Sequence, residues 1–134
     1  MVYGHSVLHH LDLDLAIPRI ANVLKPGGLA TFLDPLDHNP ILNFMRKLTP
    51  AIRTPTEKPI SLADIAKISK YFSHARRREF HFLSLAAFFW YYGIRNERCF
   101  RATLAALSRV DGKLFDVAPL CRRFSWVTVM TFVK

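Results

Sequence analysis

The hydrophobic positions of this chain follow two periods, one typical of helices and one typical of strands. Apolar residues recur at helical spacing over residues 14–24, which predicts an amphipathic helix. An apolar run without alternation over residues 29–33 predicts a strand that is covered on both faces. Residues 125–133 alternate between two sets of side chains, which predicts a closing strand with at least one buried face. Helices and strands in this alternation indicate an α/β layer.

The junction between the first helix and its strand is the most informative local signal. Pro26 disfavours continuation of the helix, and Gly27 and Gly28 adopt positive φ at low cost. Residues 23–28 therefore predict a helix end and a tight turn that leads into the apolar strand. This is one half of a crossover between parallel strands.

The rest of the pattern completes the order strand, helix, strand, helix, helix, strand, helices, strand. The final strand is expected to lie antiparallel to its neighbours. The remaining predicted strands are a strand tail at residues 2–4 and a strand at 79–83, and the arginines at 76–78 lie at the exposed start of the second. The remaining predicted helices span 41–48, 61–72 and 99–107. Residues 49–59 predict a lid or connecting loop.

Composition limits the class of protein without naming its function. An apolar content of 51% is ample for the core of one domain, and the net charge of +9 allows an anionic partner. Neither Cys99 nor Cys121 has metal-ligand spacing, and no secretory signal is evident, which predicts reduced thiols and a cytoplasmic location. The apolar window 82–92 is too short to cross a bilayer. It predicts a buried helix or, as an alternative, an interfacial segment that contacts a membrane peripherally.

Two groups of polar residues follow the predicted strands and are candidates for chemistry. His5 and Ser6 lie just outside a strand's carboxyl end, where open α/β sheets bind ligands. His10, with its neighbour His9, has the chemistry of a general base.

The second group follows the next strand, in a predicted loop. Asp34 can orient an acceptor hydroxyl there, and His38 can take its proton. The alternative for this loop is structural, because Asp37 and Asn39 suit the cap of the following helix equally well. The histidine spacings match no recognised metal fold, so no metal site is expected.

Two elements in a fixed order resemble a known family. The sequence Ser-Val-Leu-His-His-Leu at residues 6–11 is followed, after a helix, by Val-Leu-Lys-Pro-Gly-Gly at 23–28 and an apolar strand. This order resembles the C-terminal half of a class I S-adenosylmethionine-dependent methyltransferase of the type 11 kind. The resemblance implies a truncated Rossmann-like sheet whose strands are equivalent to 4-5-7-6, with the last strand antiparallel.

The same resemblance implies an activity and a set of contacts. It implies methyl transfer from S-adenosylmethionine to a small-molecule acceptor, which the apolar segments allow to be hydrophobic. His5, Ser6 and Val7 would contact the methionine part of the cofactor. Catalytic residues are not implied, and His10, Asp34 and His38 stay candidates from their chemistry alone.

The chain departs from the family at the elements that hold most of the cofactor. It shows no glycine-rich loop after a first strand, no acidic residue for the ribose hydroxyls and no adenine-flanking residues. Residues 1–134 are therefore expected to form one partial domain that lacks the N-terminal cofactor-binding half and is incomplete for activity by itself. Its first strand would be an open sheet edge, which predicts a homodimer or pairing with a separate N-terminal half.

Two other classes of function remain as hypotheses. The missing glycine-rich loop and the open edge favour a non-catalytic interaction or assembly module derived from a methyltransferase half-domain. The net charge alone favours a nucleic-acid-binding domain, but no recognised nucleic-acid motif is present, so no nucleic-acid partner is expected.

Overall fold

The computed structural model describes residues 1–48 and 57–134, and a four-stranded mixed sheet organises them. The strands are β1 (Val2–His5), β2 (Leu29–Pro35), β3 (His74–Phe80) and β4 (Val127–Val133). They are ordered β1-β2-β4-β3, with β1 parallel to β2 and β4 antiparallel to both of its neighbours. The predicted α/β fold and the antiparallel closing strand are confirmed.

Within the described residues, four α-helices and several tighter helical segments connect the strands. The α-helices are α1 (Leu13–Val23), α2 (Pro40–Leu48), α3 (Leu62–Ser69) and α4 (Glu97–Val117). Short 3-10 helices span Leu8–His10, Leu83–Ala87 and Pro119–Phe124, and a π-helix spans Trp90–Ile94. No helix within residues 1–48 and 57–134 is long and apolar enough to cross a membrane.

The turn before β2 has the predicted chemistry. The Gly28 N–H donates to the Lys25 carbonyl over 2.8 Å, and Gly27 has a φ of 75°. Proline at the second position and a left-handed glycine at the third are the signature of a type II turn. The Gly27 N–H also donates to the carbonyl of Lys134 over 3.0 Å, so the turn is tied to the end of β4.

The helices that flank the sheet begin at side-chain caps. Asp12 accepts hydrogen bonds from the N–H groups of Asp14 and Leu15 at the start of α1. Ser61 and Asp64 form a reciprocal capping box at the start of α3. Both helices therefore begin where short polar residues satisfy their first N–H groups.

One face of the sheet carries the hydrophobic core. Alternate residues of the central strands point to it, because successive side chains in a strand lie on opposite faces. The buried apolar residues of this core are Leu8, Ile17, Leu24, Ala30, Phe32, Leu36, Ile60, Ile65, Ile68, Met130 and Phe132. On the opposite face Tyr3 is 67% exposed and Leu33 and Val129 are only partly covered.

Two predicted elements differ most from their bounds in the structure. The strand predicted at 79–83 is β3 at His74–Phe80, so Arg76 and Arg78 lie within the strand and not at its start. Pairing with β4 holds this charged segment extended, whereas its own residues have little strand character. The helix predicted at 99–107 is α4 at Glu97–Val117. Only Asp111 and Phe115 are buried in it, so its second half lacks the apolar periodicity on which the prediction depended. The predicted loop at 49–59 falls mostly on residues 49–56, outside the described residues.

Candidate functional site

The carboxyl ends of β1 and β2 open at the same edge of the sheet. Ser6 follows β1 with a φ of 52°, and its N–H donates to the Leu33 carbonyl over 2.7 Å. His5 and Ser6 are exposed at this edge, and Val7 is half-buried. The three predicted cofactor-binding residues therefore lie where open α/β sheets bind ligands. Their contact with a cofactor stays a prediction.

Glycine is required in the strand that leads to this turn. A Cβ at Gly4 would lie 2.6 Å from Cγ1 of Val7 and 2.7 Å from Cδ1 of Phe32. Real Cβ atoms are essentially never found that close to another heavy atom. The side chains of Val7 and Phe32 therefore pack directly against the backbone at Gly4. Sequence reasoning missed this role of Gly4, since the fit depends on a partner far along the chain.

A buried histidine and a buried aspartate form the centre of the site. Nδ1 of His9 lies 2.7 Å from Oδ1 of Asp34, and the His9 N–H donates to the same oxygen over 3.2 Å. A carboxylate on Nδ1 fixes the ring tautomer and orientation, and leaves Nε2 as a proton acceptor. The arrangement is that of a base with its orienting acid.

The position of Asp34 corrects the sequence-based expectation. Asp34 was expected in the loop after the strand, but it lies in β2 and its exposed fraction is 0%. Its other oxygen, Oδ2, is buried and has no hydrogen-bond partner within the part of the chain that the structure describes. Alternation of the strand continues past its apolar run, so Asp34 points to the core face with Phe32.

The other two candidate catalytic residues have different surroundings. His10 is exposed, and its ring centroid lies 4.0 Å from that of His9. His38 is half-buried, and its Nδ1 contacts the carboxylate of Asp37. The structure therefore brings Asp34 together with His9 and pairs His38 with Asp37. Catalytic roles for His10, Asp34 and His38 stay predictions.

A row of buried polar side chains extends from Asp34 across the sheet. Thr128 of β4 pairs with Asp34 of β2 on one side and with Glu79 of β3 on the other. Directly paired residues place their side chains on the same face, and all three are buried. Oε1 of Glu79 lies 3.1 Å from Nε of Arg77, which supplies its countercharge. Sequence reasoning could not find this row, because it depends on strand register.

An apolar groove lies beside this edge, with a volume of about 970 Å³. Asn39 joins its two walls: its side-chain Nδ2 donates to the Phe124 carbonyl over 2.5 Å, and its Oδ1 accepts from the N–H groups of Ile41 and Leu42. The predicted capping role of Asn39 is thereby confirmed. The residues that line the groove are Asn39, Pro40, Ile41, Leu42, Met45, Phe82, Leu83, Leu85, Ala86, Phe88, Phe89, Tyr92, Phe124 and Trp126.

A separate polar cavity of about 500 Å³ lies between β3 and α4. Its buried carboxylate, Asp111, accepts hydrogen bonds from the N–H groups of Phe82, Leu83 and Ser84 and from the Ser84 hydroxyl. Burial lowers the pKa of His81, and the charge of Asp111 only partly opposes that shift. These contacts anchor the segment that forms one wall of the apolar groove.

Comparison with known proteins identifies the fold of this chain. No protein-family model matches the sequence, and no curated protein matches it significantly. The chain is similar in structure to Haemonchus contortus phosphoethanolamine N-methyltransferase 2, in complex with phosphomonomethylethanolamine and S-adenosylhomocysteine. That match has a TM-score of 0.52 and 17% identity, and it covers 99% of this chain and 33% of the other. The chain has a methyltransferase fold.

A second solved structure supports the same methyltransferase fold. The cyclopropane synthase MmaA2 from Mycobacterium tuberculosis matches with a TM-score of 0.51 and 16% identity, over 98% of this chain and 53% of that protein. The chain thus spans between a third and about half of the length of these two proteins. Its strand order β1-β2-β4-β3 is the order 4-5-7-6 that the sequence resemblance implied.

Proposed function

We propose that this chain takes part in methyl transfer from S-adenosylmethionine to a small, hydrophobic acceptor. The observation that carries the proposal is the convergence of three features at one edge of a methyltransferase fold. The turn at Ser6 follows β1, the buried pair of His9 and Asp34 lies at the end of β2, and the apolar groove begins at Asn39, just beyond β2. Ligands of open α/β sheets bind at this edge.

The described residues fit one wall of a cofactor site. His5 and Ser6 are exposed at the correct edge, and the left-handed backbone at Ser6 turns the chain across the strand end. A glycine-rich loop around the cofactor would contain glycines with positive φ. Within residues 1–48 and 57–134, Gly27 is the one such glycine, and it lies at the end of β2 opposite to the turn at Ser6. The remaining walls of the site would come from a partner segment. When bound, S-adenosylmethionine supplies an activated methyl group.

His9 and Asp34 have a defined role in this proposal. His9 accepts the proton of an acceptor hydroxyl or amine at Nε2, while Asp34 holds Nδ1 and stabilises the imidazolium that forms. Positioning of the acceptor supplies much of the rate of such a transfer, so few catalytic side chains are needed.

Calorimetry tests cofactor binding directly. S-adenosylhomocysteine and S-adenosylmethionine are titrated into the whole chain, and into the chain mixed with a polypeptide that supplies strands to pair with β1. We expect binding in the mixture, and a weaker signal when Ser6 is replaced in Ser6→Arg. The matched control is Ser73→Arg, an exposed serine beside β3. Absence of binding in both preparations contradicts the proposed function.

A second candidate function is an assembly module, and the open side of β1 supports it. The Ser6 N–H points to β2, so the N–H groups of Tyr3 and His5 point away from it. An outward row of donors is a template for strand pairing by a second copy or a separate N-terminal half. We expect Tyr3→Pro to weaken such association, because it removes an outward donor, and Tyr3→Thr to retain it. A chain that stays monomeric at high concentration in analytical ultracentrifugation contradicts this candidate.

A further inference from the structure

One wall of the apolar groove carries a stripe of exposed apolar side chains. Ile41, Phe44 and Leu48 of α2 recur at helical spacing and are all more than half exposed, with Phe44 at 61%. This stripe continues the lining of the groove outward to the protein surface. Contiguous exposed apolar surface of this kind marks an interaction site.

The opposite wall presents aromatic residues to solvent. Phe89 is 63% exposed, and Tyr91 and Tyr92 are also exposed. The two tyrosines belong to the π-helix at Trp90–Ile94, which ends at Arg95 with a left-handed φ of 57°. π-Helices are rare and occur frequently at functional sites. Tyrosine and tryptophan, with an apolar ring and a polar atom, are the side chains enriched at membrane interfaces.

The segments that form the groove carry positive charge. The three segments that form it, residues 40–48, 82–96 and 119–126, contain no acidic residue. The guanidinium of Arg123 lies 4.7 Å above the ring of Phe124, which lines the groove. The basic residues of these segments are Arg46, Lys47, Arg95, Arg122 and Arg123. The surface is therefore complementary to an anion attached to a hydrocarbon.

We propose that the groove binds an acyl chain of an anionic membrane lipid, while α2 and the aromatic wall contact the bilayer surface. The groove has the volume of a small-molecule site, and the amide of Asn39 is already hydrogen-bonded, so its walls favour hydrocarbon. Basic residues beside an apolar helical face are the features of interfacial binding. The proposal rests on the proposed function only where the bound lipid is also the methyl acceptor.

Vesicle flotation with the whole chain tests membrane binding. The probes are vesicles of phosphatidylcholine alone and vesicles that also contain phosphatidylglycerol. We expect binding to the anionic vesicles that weakens with added salt, because salt screens exposed charges. Phe89→Asp should reduce it by about tenfold or more, since a large apolar side chain no longer enters the interface. The control Leu15→Asp introduces the same charge at an exposed apolar residue of α1 and should bind as the unchanged chain does.

Lipids with brominated acyl chains test occupation of the groove. Trp126 lines the groove, whereas Trp90, the second tryptophan, belongs to the wall that contacts the bilayer. In a Trp90→Phe background, a brominated acyl chain in the groove should quench the fluorescence of Trp126. Ala86→Phe narrows the groove and should reduce quenching while vesicle binding is kept. Equal quenching in this variant overturns the placement of the acyl chain.

Other occupants of the surface give different results. If Phe89→Asp instead dissociates a dimer in ultracentrifugation, and the unchanged chain does not bind anionic vesicles, the surface contacts a second copy and the proposal is overturned. Vesicle binding requires no cofactor. Failure of S-adenosylmethionine to bind in calorimetry therefore contradicts the proposed function and leaves this result intact.

Discussion

His9 and Asp34 are separated by 25 residues, yet Nδ1 of one lies 2.7 Å from Oδ1 of the other. The contact joins the 3-10 helix after β1 to the end of β2, and both side chains are buried. Hydrogen bonds to a charged acceptor are stronger than those to a neutral one, so loss of the carboxylate charge would weaken both bonds to His9. We expect Asp34→Asn to lower the free energy of unfolding by about 1–3 kcal/mol.

Chemical denaturation measures this effect of Asp34→Asn. Asp37→Asn makes the same change at a half-exposed carboxylate in the next loop and should alter stability by less than about 0.5 kcal/mol. An equal loss in both variants would show that the buried contact with His9 contributes nothing specific.

Replacement of His9 should affect methyl transfer more than replacement of its neighbour. Under the proposed function, His9→Gln is expected to lower kcat about 100-fold, because the proposed base is lost. His10→Gln serves as the control, and its kcat should change by less than about twofold. Transfer of a labelled methyl group measures both rates, and the reverse order of effects would assign the base to His10.

Gly4→Ala should destabilise the protein, because the new Cβ would meet Val7 and Phe32 at less than 3 Å. Overpacking of this kind costs about 1–3 kcal/mol. Gly112→Ala is the matched control, since a Cβ at Gly112 meets nothing within 4 Å and the residue lies inside α4. We expect that control to gain about 0.5–1 kcal/mol from helix propensity. Thermal unfolding distinguishes the opposite signs.

Asp111 should be far more important for stability than Asp116, another aspartate of α4. It holds three backbone N–H groups and the Ser84 hydroxyl, so Asp111→Asn is expected to cost about 3 kcal/mol. Asp116 is exposed and lies 3.8 Å from Arg122, and Asp116→Asn should cost less than about 0.5 kcal/mol. Urea unfolding of the two variants compares them, and similar midpoints would contradict the anchoring role of Asp111.

His81 should make stability depend on pH. Burial lowers its pKa in the folded protein, so the unfolded chain binds the proton first, at its ordinary pKa of 6.5. The free energy of unfolding should therefore fall as the pH drops below about 6.5. His81→Asn removes the titrating group, and asparagine tolerates the left-handed φ of 62°. Unfolding measured across this pH range should show a smaller slope in the variant, and an unchanged slope would contradict the assignment to His81.

Much of the fold could be predicted from the sequence, because it depends on interactions between residues that are close along the chain. The turn at Gly27, the caps at Asp12 and Ser61, and the alternation of β4 depend on residues within a few positions of one another. The order of the strands followed from a resemblance to a family rather than from periodicity. The exposed turn after β1 was predicted for the same local reason, but His5 was wrongly placed in it, because pairing with Leu33 extends β1 to His5 and only Ser6 lies in the turn.

Tertiary structure decided which polar groups meet. Strand register brings Asp34 beside Thr128 and Glu79, and the path of the chain after β1 brings His9 to Asp34. Neither relation has a signal in neighbouring residues. The bounds of β3 were likewise set by hydrogen bonds to β4, which hold a basic segment extended against its own propensity. The sequence by itself determined where helices, turns and the closing strand form, because those depend on short-range sterics and hydrogen bonds. Only the packed sheet determined the site, because its contacts join residues that are distant along the chain.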